Sequence, residues 1–137
     1  FSICFFQKWV RAILHEFYGT DGIHGYGYGQ DEDQGQLGAW YVISSIGLFD
    51  VKGLTDENPS FALGAPLFDK VTIRLSDKYY SGKEFIITTS GNEKGTSYVQ
   101  QYSLNGQQLH EPRIPFSEIV KGGRLDIQMG NSPKDNY

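Results

Sequence analysis

The sequence predicts an α+β fold, two helices followed by a small antiparallel β-sheet. Three observations predict it. Apolar residues before about residue 50 recur at spacings of three and four, the helical period. Beyond residue 50 they alternate every second residue, the strand period. Between two alternating runs stands Asn105-Gly106, the strongest short-range hairpin signal. The change of period divides the chain into 1–50 and 51–137.

The first helix is expected from about Phe5 to Phe17, where Phe6, Val10, Ile13, Leu14 and Phe17 form one apolar stripe with Trp9 at its edge. Gly19 is its natural stop. Gly19 to Gln30 reads as a glycine-rich loop in which Gly25 to Gly29 alternate Gly with Tyr. It is no phosphate loop, because no strand precedes it and no Lys-Ser/Thr follows. A flexible surface loop and a close backbone approach to a ligand are both open readings. The second helix is expected from about Gln34 to Leu48. Its apolar residues, Trp40, Tyr41, Val42, Ile43 and Ile46 among them, wrap most of the circumference, so it should be buried on several sides. Asp33 is placed to cap it, since a carboxylate accepts free N–H groups at the positive end of the helix dipole.

Behind residue 50, Asp56-Glu57-Asn58-Pro59 reads as a turn before a strand. Val71, Ile73 and Leu75 alternate with polar residues, and Glu84 to Thr89 is β-branched and aromatic. Tyr98, Tyr102 and Leu104 are expected on one side of a strand, and Leu125, Ile127 and Met129 on one side of another. Ser117 to Val120 suggests a single helical turn, stopped by Gly122-Gly123. Strands half apolar and half polar imply an antiparallel sheet with one solvated face.

The chain has 137 residues and a net charge of −4, with basic residues scattered rather than massed, which argues against nucleic acid. No stretch is suited to membrane insertion. The opening Phe1 to Phe6, without Met, reads as a cut inside a larger protein. The single Cys4 forms no internal disulfide and reads as a small hydrophobe. His15, His24 and His110 fit no zinc spacing, and Ser44-Ser45 lacks a nucleophile elbow. Nine Tyr, nine Phe and two Trp suit either a carbohydrate protein, whose aromatic faces pack on sugar rings, or an aromatic core.

The densest polar cluster is Gln30-Asp31-Glu32-Asp33-Gln34-Gly35-Gln36, at the entrance of the second helix. Three adjacent carboxylates repel one another, which raises at least one pKa, while the helix dipole lowers others. A carboxylate tuned in this way suits a general base, and Asp31 and Asp33, two apart, could face one water. Ordinary helix capping and direct calcium ligation by carboxylate oxygens are the other readings, although the EF-hand pattern is absent.

Gly29 to Val42, an acidic loop running into Gly35-Gln36-Leu37-Gly38-Ala39-Trp40-Tyr41-Val42, resembles the signature of glycoside hydrolase family 92 α-mannosidases. There such a loop runs into Gly-Gln-Met-Ser-Ala-Trp-Tyr-Val, so Leu37 and Gly38 depart from the usual Met-Ser. Ile43 to Phe49, Leu63 to Ile73, Tyr98 to Gln100, Leu104 to Gly106, Gly122-Gly123 and Met129-Gly130 are similar in turn. So is Gln7 to Gly19, ahead of the loop, and together they span nearly the whole chain. The resemblance implies a C-terminal fragment. Residues 1–50 would be the last helices of an (α/α)6 toroid with its acidic loop, and 51–137 a sandwich-like β appendage. It implies inverting hydrolysis of terminal α-(1,2)-linked mannose from glycans, with Asp33 as general base and Asp31 assisting it in holding the water. It implies calcium at the sugar, with most ligands outside this chain, as the general acid would be. The fragment would be inactive alone and would pack with the missing N-terminal part of the enzyme or self-associate. A periplasmic, cell-surface or secreted location in a bacterium follows from the same likeness. A non-catalytic carbohydrate-binding β module and a structural remnant are the alternatives.

Overall fold

A computed structural model describes residues 3–18, 35–50, 52–93 and 95–134. Helix α1 spans Ile3–Glu16 and α2 spans Gln36–Ser45. Strands β1 (Leu48–Phe49), β2 (Ser60–Leu63), β3 (Lys70–Arg74), β4 (Glu84–Ser90), β5 (Tyr98–Leu104), β6 (Gln107–Gln108) and β7 (Arg113–Pro115) follow, then the single turn α3 (Phe116–Val120) and β8 (Gly123–Gly130). The α+β order expected from the change of period is therefore present, as is the helical turn near Ser117.

The strands form two sheets, one ordered β1-β2-β7 and the other β3-β4-β8-β5-β6. A single apolar core draws on both: Leu48, Leu63 and Ile114 from the first meet Phe85, Ile87, Val99, Tyr102, Leu125, Ile127 and Met129 from the second. Alternation in β8 works as the sequence suggests, with Leu125, Ile127 and Met129 buried. The β5–β6 hairpin turns at Asn105 (φ 50°) and Gly106 (φ 82°). Both positive angles are what the tight primed hairpin turn requires.

Two expectations about the strands need correction. The larger sheet is mixed rather than antiparallel, because β4 and β8 run parallel from Phe85↔Gly123 to Ser90↔Gln128. After β5 and β6 the chain crosses to the other sheet as β7, and α3 returns it so that β8 enters between β4 and β5. Alternation reports which face is buried and carries no sign of direction. In β5 the register shifts between Val99 and Gln101. The extra residue of such a bulge changes the phase of the pleat, so Val99 and Tyr102, three apart, are both buried and Tyr98 is not.

Helix α1 forms, but it is rolled so that only the Leu14 edge of its apolar stripe faces inward. Only Leu14 of the stripe is fully buried; Phe6, Ile13 and Phe17 are exposed, as are Phe5 and Trp9. The inward face is Gln7, Arg11 and Leu14. Gln7 can be buried because its amide is satisfied on both sides. Its Nε2 donates to Tyr102 Oη at 2.9 Å, and its Oε1 accepts from Val99 N at 3.1 Å. Tyr102 Oη donates onward to Leu63 O at 3.0 Å and Gly64 O at 3.2 Å. Helix α2 is shorter than expected and ends before Gly47, whose φ of 81° stops it. Of its residues only Ser44 and Ser45 are fully buried, and Val42 is 61% exposed. Tyr18 covers Trp40 and Tyr41, and Ile43 packs against the core, but Gln36 to Ala39 and Val42 stay exposed, so among the described residues the burial expected on several sides is met only in part. No helix among them is long and apolar enough to cross a membrane.

Replacing Tyr102 by Phe keeps the ring and removes the hydroxyl that joins Gln7 to Leu63 and Gly64. A loss of about 1–3 kcal/mol is expected, because buried groups are left without a partner; a melt indistinguishable from the parent would exclude this role. Acid provides a second check. Partial burial pushes the Asp126 carboxyl up, but hydrogen bonds from Thr88 and Arg124 and the Arg124 charge outweigh it and hold the pKa below the usual carboxylate range. A depressed folded-state pKa gives stability that is present above the unfolded value and lost as the pH falls through the folded one. Asp126→Asn should therefore flatten the fall in stability below about pH 4 and leave its shape near neutrality unchanged; an unaltered acid limb in a pH-resolved melt would count against it.

Candidate functional site

The two helices bring together the ends of the acidic loop. Just beyond α1, the Tyr18 ring stacks on Trp40 at a centroid distance of 5.5 Å and on Tyr41 at 5.0 Å, with interplanar angles of 25° and 27°. Offset stacking of this kind suits ring quadrupoles and fixes where the chain leaves α1. At the other end, Gly35 takes the position before α2 with a φ of 73° and no side-chain cap. Its carbonyl accepts from Ala39 N at 3.0 Å. The expectation that Asp33 caps α2 is thus corrected. The helix begins at Gln36 rather than Gln34, and the capping position falls to Gly35, which reaches that left-handed angle without a Cβ penalty.

Asp31 and Asp33, expected as assisting and general base, lie outside the described residues. So do Glu32, Cys4's side chain, His24 and the Gly25 to Gly29 stretch. What the described residues show is the frame on which that loop hangs. Between α1 and α2 opens a hollow of about 740 Å³, lined by Ile13, Tyr18, Leu37, Trp40, Ile43 and Phe49, with Gln36 also among its walls. Its walls are mostly apolar, the usual character of a site that excludes water around a few placed polar groups.

Behind this frame α1 is held by a buried cation. Arg11 is 7% exposed. Its Nη1 donates to Pro66 O at 2.6 Å and to Asn92 Oδ1 at 2.9 Å. Burial holds the guanidinium below its ordinary pKa. Neither Gln7 nor Arg11 stood out in the sequence. The available signal was their spacing of four residues, which places two polar side chains on one helix face beside Leu14, at the edge of the apolar stripe. No group of His, Cys, Asp or Glu among the described residues is placed to hold a metal ion, so these residues alone do not make the calcium site that the resemblance implied. His15 and His110 lie far apart in the chain, on α1 and beyond β6.

The model of the glycosyl hydrolase family 92 catalytic domain matches residues 6–131. Among solved structures, an inverting family 92 mannosidase from Bacteroides thetaiotaomicron VPI-5482 is similar at 33% identity with a TM-score of 0.76, covering 93% of this chain and 16% of that one. A family 92 α-mannosidase from Bacteroides thetaiotaomicron is similar at 27% identity with a TM-score of 0.78, again over 93% and 16%. A family 92 glycosyl hydrolase at 24% identity shares the fold, with a TM-score of 0.76 over 98% of this chain and 20% of the other. No curated protein sequence matches. The chain thus spans about one sixth of the length of the two Bacteroides enzymes.

The outward apolar face of α1, continued by Val42 and Leu37 of α2, is a surface that water alone covers poorly. The chain on its own should self-associate through it, and Trp9→Glu combined with Val42→Glu should reduce that association in sedimentation velocity. A clean monomer at every concentration, with or without the substitutions, would show that the face needs no partner.

Proposed function

The chain belongs to glycosyl hydrolase family 92, and on that premise we propose that it is the base-bearing part of an inverting exo-α-mannosidase acting on terminal α-(1,2)-linked mannose of glycans. The observation that carries the reading is the 33% identity to an inverting mannosidase across 93% of this chain, beside a family match that runs from residue 6 to 131. The described frame supports it: α2 begins at Gln36, directly after the acidic run in sequence, and a hollow walled by Tyr18, Trp40 and Leu37 lies beside that helix.

In this reading Asp33 takes a proton from water, and Asp31 accepts a second hydrogen bond that orients it. The water oxygen attacks the anomeric carbon on the face opposite the leaving group. A carboxylic acid outside this chain protonates the departing oxygen, about 6.5–9.5 Å from the base, which leaves room for the water. Free N–H groups at the start of α2 and the helix dipole favour the ionised form of carboxylates close to it. Calcium bound at the sugar would help distort the ring and place the water, with most of its ligands outside this chain. The apolar faces of α1 and α2 would pack against the remaining helices of an (α/α)6 toroid. Without those helices and the acid the isolated chain would be inactive. A bacterial periplasmic, cell-surface or secreted location fits a glycan substrate.

A second reading has one observation behind it. Tyr79, 70% exposed, and Tyr80 lie on the β half, where aromatic faces could meet a sugar without catalysis. Mannobiose binding mapped to the strands and indifferent to Asp31 and Asp33 would favour that module.

In the intact enzyme, Asp33→Ala should lower kcat by about 10²- to 10⁴-fold, the range of general acid–base assistance, with an unchanged melting curve. Proton NMR of the parent reaction should show β-mannose as the first product, and chelation of calcium should slow it. Near-normal turnover in Asp33→Ala would remove Asp33 from the mechanism, and α-mannose as first product would remove inversion.

A further inference from the structure

Both helices that carry the ends of the acidic loop are tied to one short stretch of the sandwich, Leu63 to Leu67. On the α1 side, Arg11 donates to Pro66 O, and Gln7 reaches Leu63 O and Gly64 O through the Tyr102 hydroxyl. On the α2 side, Leu67 N donates to Ser45 O at 2.9 Å and Gly64 N to Gly47 O at 2.9 Å. Gly47 lies so close that a Cβ there would sit 2.7 Å from Pro66 Cγ. Asn92, the second acceptor of Arg11, closes the group by donating from Nδ2 to Leu67 O at 3.3 Å and to Asp69 Oδ1 at 3.2 Å.

We infer that Arg11 is a positioning residue for the reaction proposed above: it sets where α1, Tyr18 and the start of the acidic loop stand relative to α2. The inference rests on that reading. Arg11 is a costly choice if its task is only to fill space. Among the described residues no carboxylate lies within ion-pair distance of it, and a buried charge held by neutral acceptors stabilises less than an apolar side chain of similar volume would. What a guanidinium supplies is direction, since the two N–H bonds of its planar Nη1 are fixed in the plane of the group and point one at Pro66 O and the other at Asn92 Oδ1. Those acceptors belong to the stretch that also receives the end of α2. The two helices thereby share one reference point, which also sets where Tyr18 and Gly35, the described residues on either side of the acidic segment, stand.

The test uses the intact enzyme with an α-mannoside, comparing Arg11→Met and Arg11→Lys with the parent. Arg11→Met should lower kcat per folded molecule by about 10- to 100-fold, the cost of a misplacement of roughly 1 Å, with KM little changed. Arg11→Lys should recover part of the loss, because an ammonium keeps the charge and donors for Pro66 O and Asn92 Oδ1 but, as a rotatable point charge on a shorter stem, does not fix their direction. Should Arg11→Met fail to fold, Asn92→Ala removes one acceptor and should give a smaller fall in kcat at the same KM. A lowered melting temperature with kcat per folded molecule unchanged, in whichever of these variants folds, would make the role structural and overturn the inference. A parent that does not cleave mannosides, or an Asp33→Ala variant that does, would instead sink the proposed reaction itself.

Discussion

The Tyr102 hydroxyl is where the helical and stranded halves of the chain meet. It accepts from Gln7 on α1 and donates to two carbonyls at the end of β2, inside a ring environment with no measurable solvent exposure. A helix docked only by apolar contact can slide or roll at little cost. A helix docked by hydrogen bonds in a dry interior cannot, because each displaced bond leaves a polar group without a partner. That constraint explains why α1 turns Gln7 and Arg11 inward and leaves Phe5, Phe6 and Trp9 outside. It leaves the apolar face of α1, with Phe5, Phe6, Trp9, Ile13 and Phe17, turned outward.

What could be read in the sequence follows from what periodicity encodes. Leu125, Ile127 and Met129 announced β8 and its inner face, and Asn105-Gly106 announced a hairpin, because both are local properties of pleat and turn. The bulge after Val99 has no such local mark, so Tyr98, before it, does not share the inward side of Tyr102 and Leu104 beyond it. The parallel pairing of β4 with β8 depends on a path through the other sheet, which residue patterns do not record. On α1 the stripe itself was legible. Which side of the helix this chain would cover was not, since hydropathy says that a surface is to be buried and never by what.

The site was legible as a family pattern more than as chemistry. Asp31 and Asp33 were found through the motif that runs into Trp40 and Tyr41, and they fall outside the described residues. The supports that are described, Tyr18 against Trp40 and Tyr41 and Arg11 against Pro66, are contacts between segments far apart in sequence. Their residues look unremarkable singly. A polar side chain four residues from another on an otherwise apolar helix reads as solvated until a partner such as Tyr102 is known to face it.

Strand β8 bonds to β4 on one side and β5 on the other, while β4 and β5 do not bond to each other. A nascent chain that has emerged only through β7 therefore holds two unjoined pieces, β3-β4 and β5-β6, each showing a raw edge at the place where the centre of the sheet belongs. Such edges recruit strands from neighbouring molecules, and closure by a distant segment is slow compared with hairpin formation. During synthesis the larger sheet stays open to mispairing until its middle strand arrives, so loss of residues beyond Gly122 would remove its keystone rather than trim its border.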